Sequence, residues 1–360
     1  MEPDGTSTFD IQHSVFNIKD LFFFPRSRID TLAWDACVMA SAQRLIYGYS
    51  WYLDAVTSAR GWKWVGLVLP DEQGNYRAVM PVPLRRRWGK WVVYQPLFCQ
   101  MLTVFSRDAT LDPTPFFDVM LRRFRYGAKI NLRQYPAPDL GFQVVRQHAT
   151  HVLNLSATYE TIYKRYSRDR RTNLRRGIAA NWRLTDSVDA GPLLRLFREN
   201  HADTIPGGVG EWAYTTLQNL ISELESRNLG RLRYAERNGQ IEAGALFVQE
   251  GNRIIYLFNA ASEAGRRGNA RTVLLDEMIR EKASGPVLFD FESPDKSSVV
   301  AFYQSFGAAE EPFWTARWSR LTWLERGLVW LLKNTAAAVS GHYSGAGPSP
   351  LNQPRDQLQP

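Results

Sequence analysis

Cysteine, histidine and long apolar runs are all scarce in this chain of 360 residues. Only Cys37 and Cys99 occur, far apart and with no Cys-x-x-Cys pair. That excludes a disulfide framework and a zinc cluster, and it points to a reducing compartment. Among the five histidines, His148 and His151 share one strand-like segment but have no third ligand nearby in sequence; no metal is expected there. No run is apolar for long enough to span a bilayer. The first residues lack the basic-then-apolar pattern of a secretory leader, so the expected location is cytoplasmic. There is no Gly-x-Ser-x-Gly elbow and no P-loop. Gly191-Pro192 reads as a helix start rather than a phosphate loop.

Lysine is also sparse beside arginine, and the formal net charge is +8 with a pI near 9.5. A guanidinium is the better fork for phosphate oxygens. The excess suits a polyanionic ligand such as a nucleotide cofactor, a tRNA or an anionic lipid surface. The plain alternative is a solvated arginine-rich surface, and nothing in the pattern calls for DNA. At 44% hydrophobic and 22% charged residues the chain is not a disordered one.

Hydrophobic periodicity gives helices followed by mostly antiparallel strands, twice over. The fold class is α+β, in two domains with a boundary near Ser156: 1–155 and 156–320. Probable core residues in the first half are Trp34, Cys37, Leu45, Tyr47, Trp51 and Leu53. Residues 113–126 read as a helix, and Arg85, Arg86 and Arg87 as a charged turn. Residues 159–180 read as one basic helix. Asn238-Gly239 is the preferred dipeptide for a tight hairpin. Residues 321–340 read as an amphipathic helix that packs on the body or touches a membrane surface. Residues 341–360 are rich in Pro, Gly and Gln and read as disordered.

The ordered set over 253–313 carries the chemistry. A strand at 254–260 leads into a loop at 265–271, a helix at 272–283, a strand at 286–292 and a helix at 297–306 closed by Gly307. A glycine turn into a helix N-terminus can hold a phosphate on unpaired N–H groups. Asp290 and Glu292 stand two apart on a strand, hence on one face. One of them, Glu292 ahead of Asp290, is a candidate acceptor for an amine proton. The alternative is an ion pair with Arg266, Arg267 or Arg271. On the basic helix, Arg168, Arg171 and Arg175 form one stripe for anion contact.

The segment Phe302-Tyr303-Gln304-Ser305-Phe306-Gly307-Ala308 resembles the helix that ends in Tyr-x-x-hydrophobic-Gly in GNAT acyltransferases. With the strand Leu288-Phe289-Asp290-Phe291-Glu292-Ser293 it looks more like the FemAB-like branch. The basic helix, and residues 47–53, 78–83 and 95–100, are similar to such bacterial-type proteins as well. The resemblance covers roughly 29–318 and is most specific at the C-terminal motif.

The resemblance implies two tandem GNAT-like domains, the second holding the donor. It implies an N-acyltransferase that takes acetyl-CoA or another acyl-CoA as co-substrate, uses no metal, and acts on a small-molecule or cell-envelope amine. The alternatives are FemAB-type transfer of an amino acid from tRNA to a cell-wall precursor, and a non-catalytic binding module. The donor would meet Phe258, Asn259 and Ala260, with its phosphates beside Arg266, Arg267, Gly268, Asn269, Ala270 and Arg271. Tyr303 stands where many members keep a tyrosine that protonates the leaving thiolate. One departure is plain: Gly265 occupies the place where acetyl-CoA binders carry Gln or Arg.

Overall fold

The computed structural model describes residues 20–327 apart from 206, 295 and 326. Most of the helix expected at 321–340, and the whole tail at 341–360, lie outside the described residues. The first half runs β1 (Phe22–Pro25), α1 (Thr31–Met39), α2 (Ser50–Val56), β2 (Trp62–Pro70), β3 (Tyr76–Arg87), β4 (Lys90–Tyr94), β5 (Phe105–Ser106), α3 (Thr114–Arg123), β6 (Tyr126–Leu132) and β7 (Val144–Asn154). The second runs α4 (Tyr159–Lys164), α5 (Arg168–Ala179), β8 (Arg183–Ser187), α6 (Gly191–Asn200), α7 (Glu211–Ser226), β9 (Gly230–Arg237), β10 (Gln240–Glu250) and β11 (Arg253–Ala261). It ends with α8 (Glu263–Arg267), α9 (Ala270–Lys282), β12 (Leu288–Asp290), α10 (Ser297–Gln304) and β13 (Ala309–Ser319).

Local chemistry sets many of these boundaries. Asp30 caps α1 by accepting from the Leu32 and Ala33 amides. Pro192 stands in the first turn of α6, where its missing N–H costs nothing. Asn238 and Gly239, at φ 54° and 76°, make the tight turn between β9 and β10. The expected single basic helix is two helices. Ser167 is extended at φ −60° and ψ 159° and caps α5 through the Arg170 amide, so α4 stops short of it. Arg85, Arg86 and Arg87 are the end of β3 and not a turn. Arg85 is held there by stacking over Trp62, Tyr94 and Trp212.

The strands form one thirteen-stranded sheet in the order β1-β2-β3-β4-β6-β13-β7-β12-β11-β10-β9-β8, with β5 on β3. Among the strands of the described residues, β4–β6 and β11–β12 pair in parallel. The last strand turns back: β13 lies between β6 and β7. Its Trp318 covers Gly127, where an added Cβ would stand 2.2 Å from the indole ring, and the indole N–H donates to the Phe124 carbonyl at 2.7 Å. Along β11, Ile255 and Leu257 join the core that holds α6 and α7, while Ile254 and Tyr256 join the core that holds α9 and α10. A strand buried on both faces is the outcome of its unbroken apolar run.

A buried polar knot crosses the middle of the sheet. Arg253 of β11 donates to the Asp290 carboxylate of β12 at 2.7 and 3.0 Å and pairs with Glu311 of β13. Arg133, just past β6, bonds Glu311 from the other side at 3.1 Å. The Thr150 hydroxyl of β7 donates to Asp290 at 2.7 Å. Burial opposes the charge on Glu311, but the hydrogen bonds and charge of Arg253 hold its carboxyl below the usual range. Removing one member leaves the others buried and uncompensated, at a cost of about 3–5 kcal/mol. Asp290→Ala is therefore expected to lower the urea midpoint by that amount of stability with little change in slope, as read by urea titration.

Candidate functional site

β11 and β12 are neighbours for only three residues. Arg253, Ile254 and Ile255 face Leu288, Phe289 and Asp290. Then β12 stops, while β11 runs six residues further with only β10 beside it. A bulge opposite Leu246 and Phe247 adds one residue to β11 at this point and bends it away. The result is a V-shaped gap whose sides carry Phe258, Asn259 and Ala260 on one strand and Glu292 past the end of the other. Residues 291–294 are irregular, so Glu292 is not on the strand with Asp290. Its φ of 45° turns it out of line, which corrects the expected shared face.

The two carboxylates have different fates. Asp290 is saturated by Arg253, Thr150 and the Glu292 amide at 2.9 Å, and its partner is Arg253 rather than the loop arginines. The Glu292 carboxylate lies beside the Tyr47 hydroxyl and has no ion pair among the described residues. Burial first, and the neighbouring Asp290 charge second, push its pKa well above the ordinary carboxyl value. The Tyr47 hydroxyl beside it is fully buried and has no well-formed partner. A carboxyl buried in this way keeps its proton to higher pH than a solvated one.

Glu292 lines a polar cavity of about 380 Å3, with Gln100, Lys129, Asn131 and His148 among its walls and Leu257 and Phe258 at its β11 side. Its floor is a hydrogen-bonded chain. Thr315 donates to the Asn131 carboxamide oxygen at 2.7 Å, and the Asn131 amide donates to the Gln100 carbonyl at 2.6 Å. The Gln100 side-chain oxygen is buried without a partner. The loop over 95–102 is pinned to β6 by the Gln95 side chain, which accepts from the Asn131 backbone amide at 3.0 Å and donates to the Cys99 carbonyl at 2.6 Å. Phe98 in this loop has φ 58°. Two bulky residues in the left-handed region, Phe98 and Glu292, thus flank the same cavity; such strain persists only where the surroundings impose it.

On the other side of the gap lies a cluster of arginines. Arg271, in the first turn of α9, donates to the Asn259 side chain at 3.3 Å. Arg266 donates to the Ala261 carbonyl at 2.7 Å. Neither has a carboxylate partner among the described residues. The His201 ring nitrogen Nε2 accepts from the Ala261 amide at 3.2 Å. Burial lowers its pKa, and the charges of Arg271 and Arg266 lower it further. Tyr303 of α10 stacks on Phe291 at 4.7 Å and meets Tyr256 edge-on. Burial pushes its pKa up to about 12; Arg271 pulls it down and Glu292 pushes it up, so all three groups share one neighbourhood.

The remaining sequence candidates fall unevenly. Residues 263–267 are a short helix and not a loop. Gly265 is pressed on β10, where an added Cβ would meet the Glu242 carbonyl oxygen at 2.1 Å, so its glycine serves packing. Trp182 lies over Gly268 and donates to its carbonyl at 2.8 Å; this covers the flank where a phosphate cradle was expected. Asn269, at φ 55°, precedes α9 without capping it through its side chain, and Ala270 is buried. Arg267 is exposed and paired with Glu263. Arg168 and Arg175 are exposed and Arg171 half-buried on α5. Their neighbour Arg170 points inward, a residue the stripe left out. It bonds the Ser305 and Thr272 hydroxyls at 2.8 and 2.7 Å and stacks over Phe302 and Phe306. Burial lowers its pKa to about 10, since no carboxylate compensates it. The spacing of Arg170, Leu174 and Gly177 was the signal that these share the inner face. Among the described residues no group of three potential ligands could hold a metal ion, and no helix is long and apolar enough to cross a membrane.

The strand pair thus parts between a group of arginines and a buried carboxyl. Residues 161–294 match the family described as acetyltransferase (GNAT) domain. That stretch of the chain is similar to a GNAT acetyltransferase domain. The fold is that of FemX, with a TM-score of 0.58 at 12% identity over 84% of this chain and 98% of that one. It is shared with the C-terminal domain of a putative lysylphosphatidylglycerol synthetase from Agrobacterium fabrum, at a TM-score of 0.51 and 13% identity over 86% and 96% of the two chains. No curated protein matches by sequence.

The raised pKa of Glu292 has a stability signature. The unfolded chain releases this proton near the ordinary value and the folded chain keeps it to higher pH, so stability falls as pH rises between the two. Glu292→Gln removes that loss. Its melting temperature is expected to exceed that of the parent at pH 8 and to equal it at pH 4, as read by scanning calorimetry.

Proposed function

We propose that this protein is an N-acyltransferase moving an acyl group from acyl-CoA to an amine. The observation that carries the reading is the parting of β11 from β12 after Ile255, with Arg266 and Arg271 on one side and Glu292 on the other. The donor site is assigned to the second half of the chain, 156–320. The thioester arm enters the gap beside Phe258, Asn259 and Ala260, on the edge of β11 that faces away from β10 and past the end of its pairing with β12. Its phosphates meet Arg266 and Arg271. The polar cavity receives the amine acceptor, a small molecule or a cell-envelope component.

In the reaction the amine lone pair attacks the carbonyl carbon and a C–N bond forms. The C–S bond then breaks and sulfur leaves with its electron pair. Glu292 takes the amine proton, which returns to the sulfur to give a free thiol. Tyr303 is a weaker partner. With a pKa near 12 against about 8.5 for a thiol, full transfer from it runs uphill, so it hydrogen-bonds the leaving sulfur instead. Glu292→Gln is expected to lower kcat/KM by about 100-fold or more in a CoA-release assay, and Tyr303→Phe by a smaller factor.

Binding tests the donor directly. CoA and acyl-CoA are expected to raise the melting temperature. A charge-assisted bond contributes about 1.5–3 kcal/mol, so Arg271→Ala is expected to weaken CoA binding about 10- to 100-fold by calorimetry. A second reading is FemAB-type transfer from aminoacyl-tRNA, favoured by exposed Arg168 and Arg175 on α5. In that case tRNA binds instead of CoA, with an affinity that falls steeply with added salt. Stabilisation by neither ligand returns the fold to a binding module.

A further inference from the structure

Next to the polar cavity lies a larger one of about 530 Å3, walled by Phe197, Val209, Trp212, Tyr214, Leu217 and Phe258. Carboxylates, amines and guanidinia are absent from its lining. The two cavities share Phe98 and Phe258, whose rings meet edge-on at 6.0 Å and form the partition between them. Phe258 directly precedes Asn259 on the free edge of β11, so the apolar space opens beside the place assigned to the donor's carbonyl. Protein interiors are packed nearly as densely as organic crystals. Destabilisation grows with the volume left empty, so a void of this size lined by aromatic rings is a binding space rather than a packing fault. Leu97, Ile205 and Trp212 are each more than a third exposed at its rim, which leaves a way in.

We infer that this cavity holds the aliphatic chain of the donor's acyl group, and that the natural donor is a medium- or long-chain acyl thioester rather than an acetyl one. The inference rests on the acyl-CoA reading above and adds the substrate class. The donor is chosen as the source of the chain because the two cavities divide the chemistry. Lys129, Asn131, Glu292 and the unpaired Gln100 oxygen offer the polar partners an amine needs, while the second cavity offers mostly carbon surface. Burial of one methylene is worth about a three- to fourfold gain in affinity.

The test is a binding series on the full chain with CoA and with acetyl-, butyryl-, octanoyl- and lauroyl-CoA, read by calorimetry. Affinity is expected to climb with each added methylene until the cavity is filled. Ala213 lies in the wall on α7 and is buried. In Ala213→Phe the slope is expected to collapse, so that lauroyl- and acetyl-CoA bind the variant alike. The parent series stands by itself if that variant does not fold. Equal affinity for every chain length in the parent overturns the inference and leaves the acyl-CoA reading intact. A length dependence in n-alkylamines but not in acyl-CoA puts the chain on the acceptor and also overturns it. Failure of every CoA species to bind removes the acyl-CoA reading itself.

Discussion

The placement of Arg253 governs the rest of this structure. Its guanidinium lies between Asp290 and Glu311, with Arg133 and Thr150 completing the set. Through these five side chains β11, β12, β13 and β7 and the end of β6 are fixed at the middle of a sheet that both halves share. A buried charge cluster of this kind is expensive to assemble and gains little net stability over apolar packing. What it does secure is geometry. It consumes Asp290, holds β12 against β11 for three residues, and leaves the chain to diverge where the polar partners end. The gap on which the proposed chemistry depends starts one residue beyond the knot.

The same economy separates two carboxylates that look alike. Asp290 and Glu292 are two residues apart, yet one is ringed by donors and the other lines a cavity with the Tyr47 hydroxyl beside it. The raised pKa of Glu292 follows from its surroundings. Strain adds to the distinction. The left-handed backbone at Glu292 and at Phe98 is imposed on both rims of one cavity by the pinned loop on one side and the shortened strand on the other. A similar contrast holds for the arginines. Those on the knot are neutralised, whereas Arg266 and Arg271 bond only neutral oxygens and keep their charge available.

Much of the fold was legible in the residues. Strand and helix order over 253–313 follows from period and turn chemistry, and the Asn238-Gly239 hairpin from its dipeptide. The α+β class was legible too, and so was the likeness to a GNAT domain over 161–294. The failures have physical causes. Gly265 reads as a loop glycine because sequence cannot tell a residue that needs an unusual φ from one that needs no side chain. Arg253 opens an apolar strand, so periodicity treats it as a rim residue, and only the return of β13 buries it. The basic helix was phased from 159, whereas Ser167 restarts it at 168; the restart leaves Arg170 inside. Glu292 could not be told from Asp290 by spacing, since the strand ends between them. Trp182, Phe98 and His201 reach the site from distant segments, and no local pattern marks such contacts.

The return of β13 has a bearing on how the chain is made. Its residues 309–319 fill the slot between β6 and β7, more than 150 positions after either strand. During synthesis the N-terminal half therefore emerges with a seam in its sheet, two unpaired edges facing each other and Gly127 uncovered. No arrangement of the earlier residues closes it. Assembly of the first half waits on β13, so the ribosome must pass residue 319 before the sheet is complete.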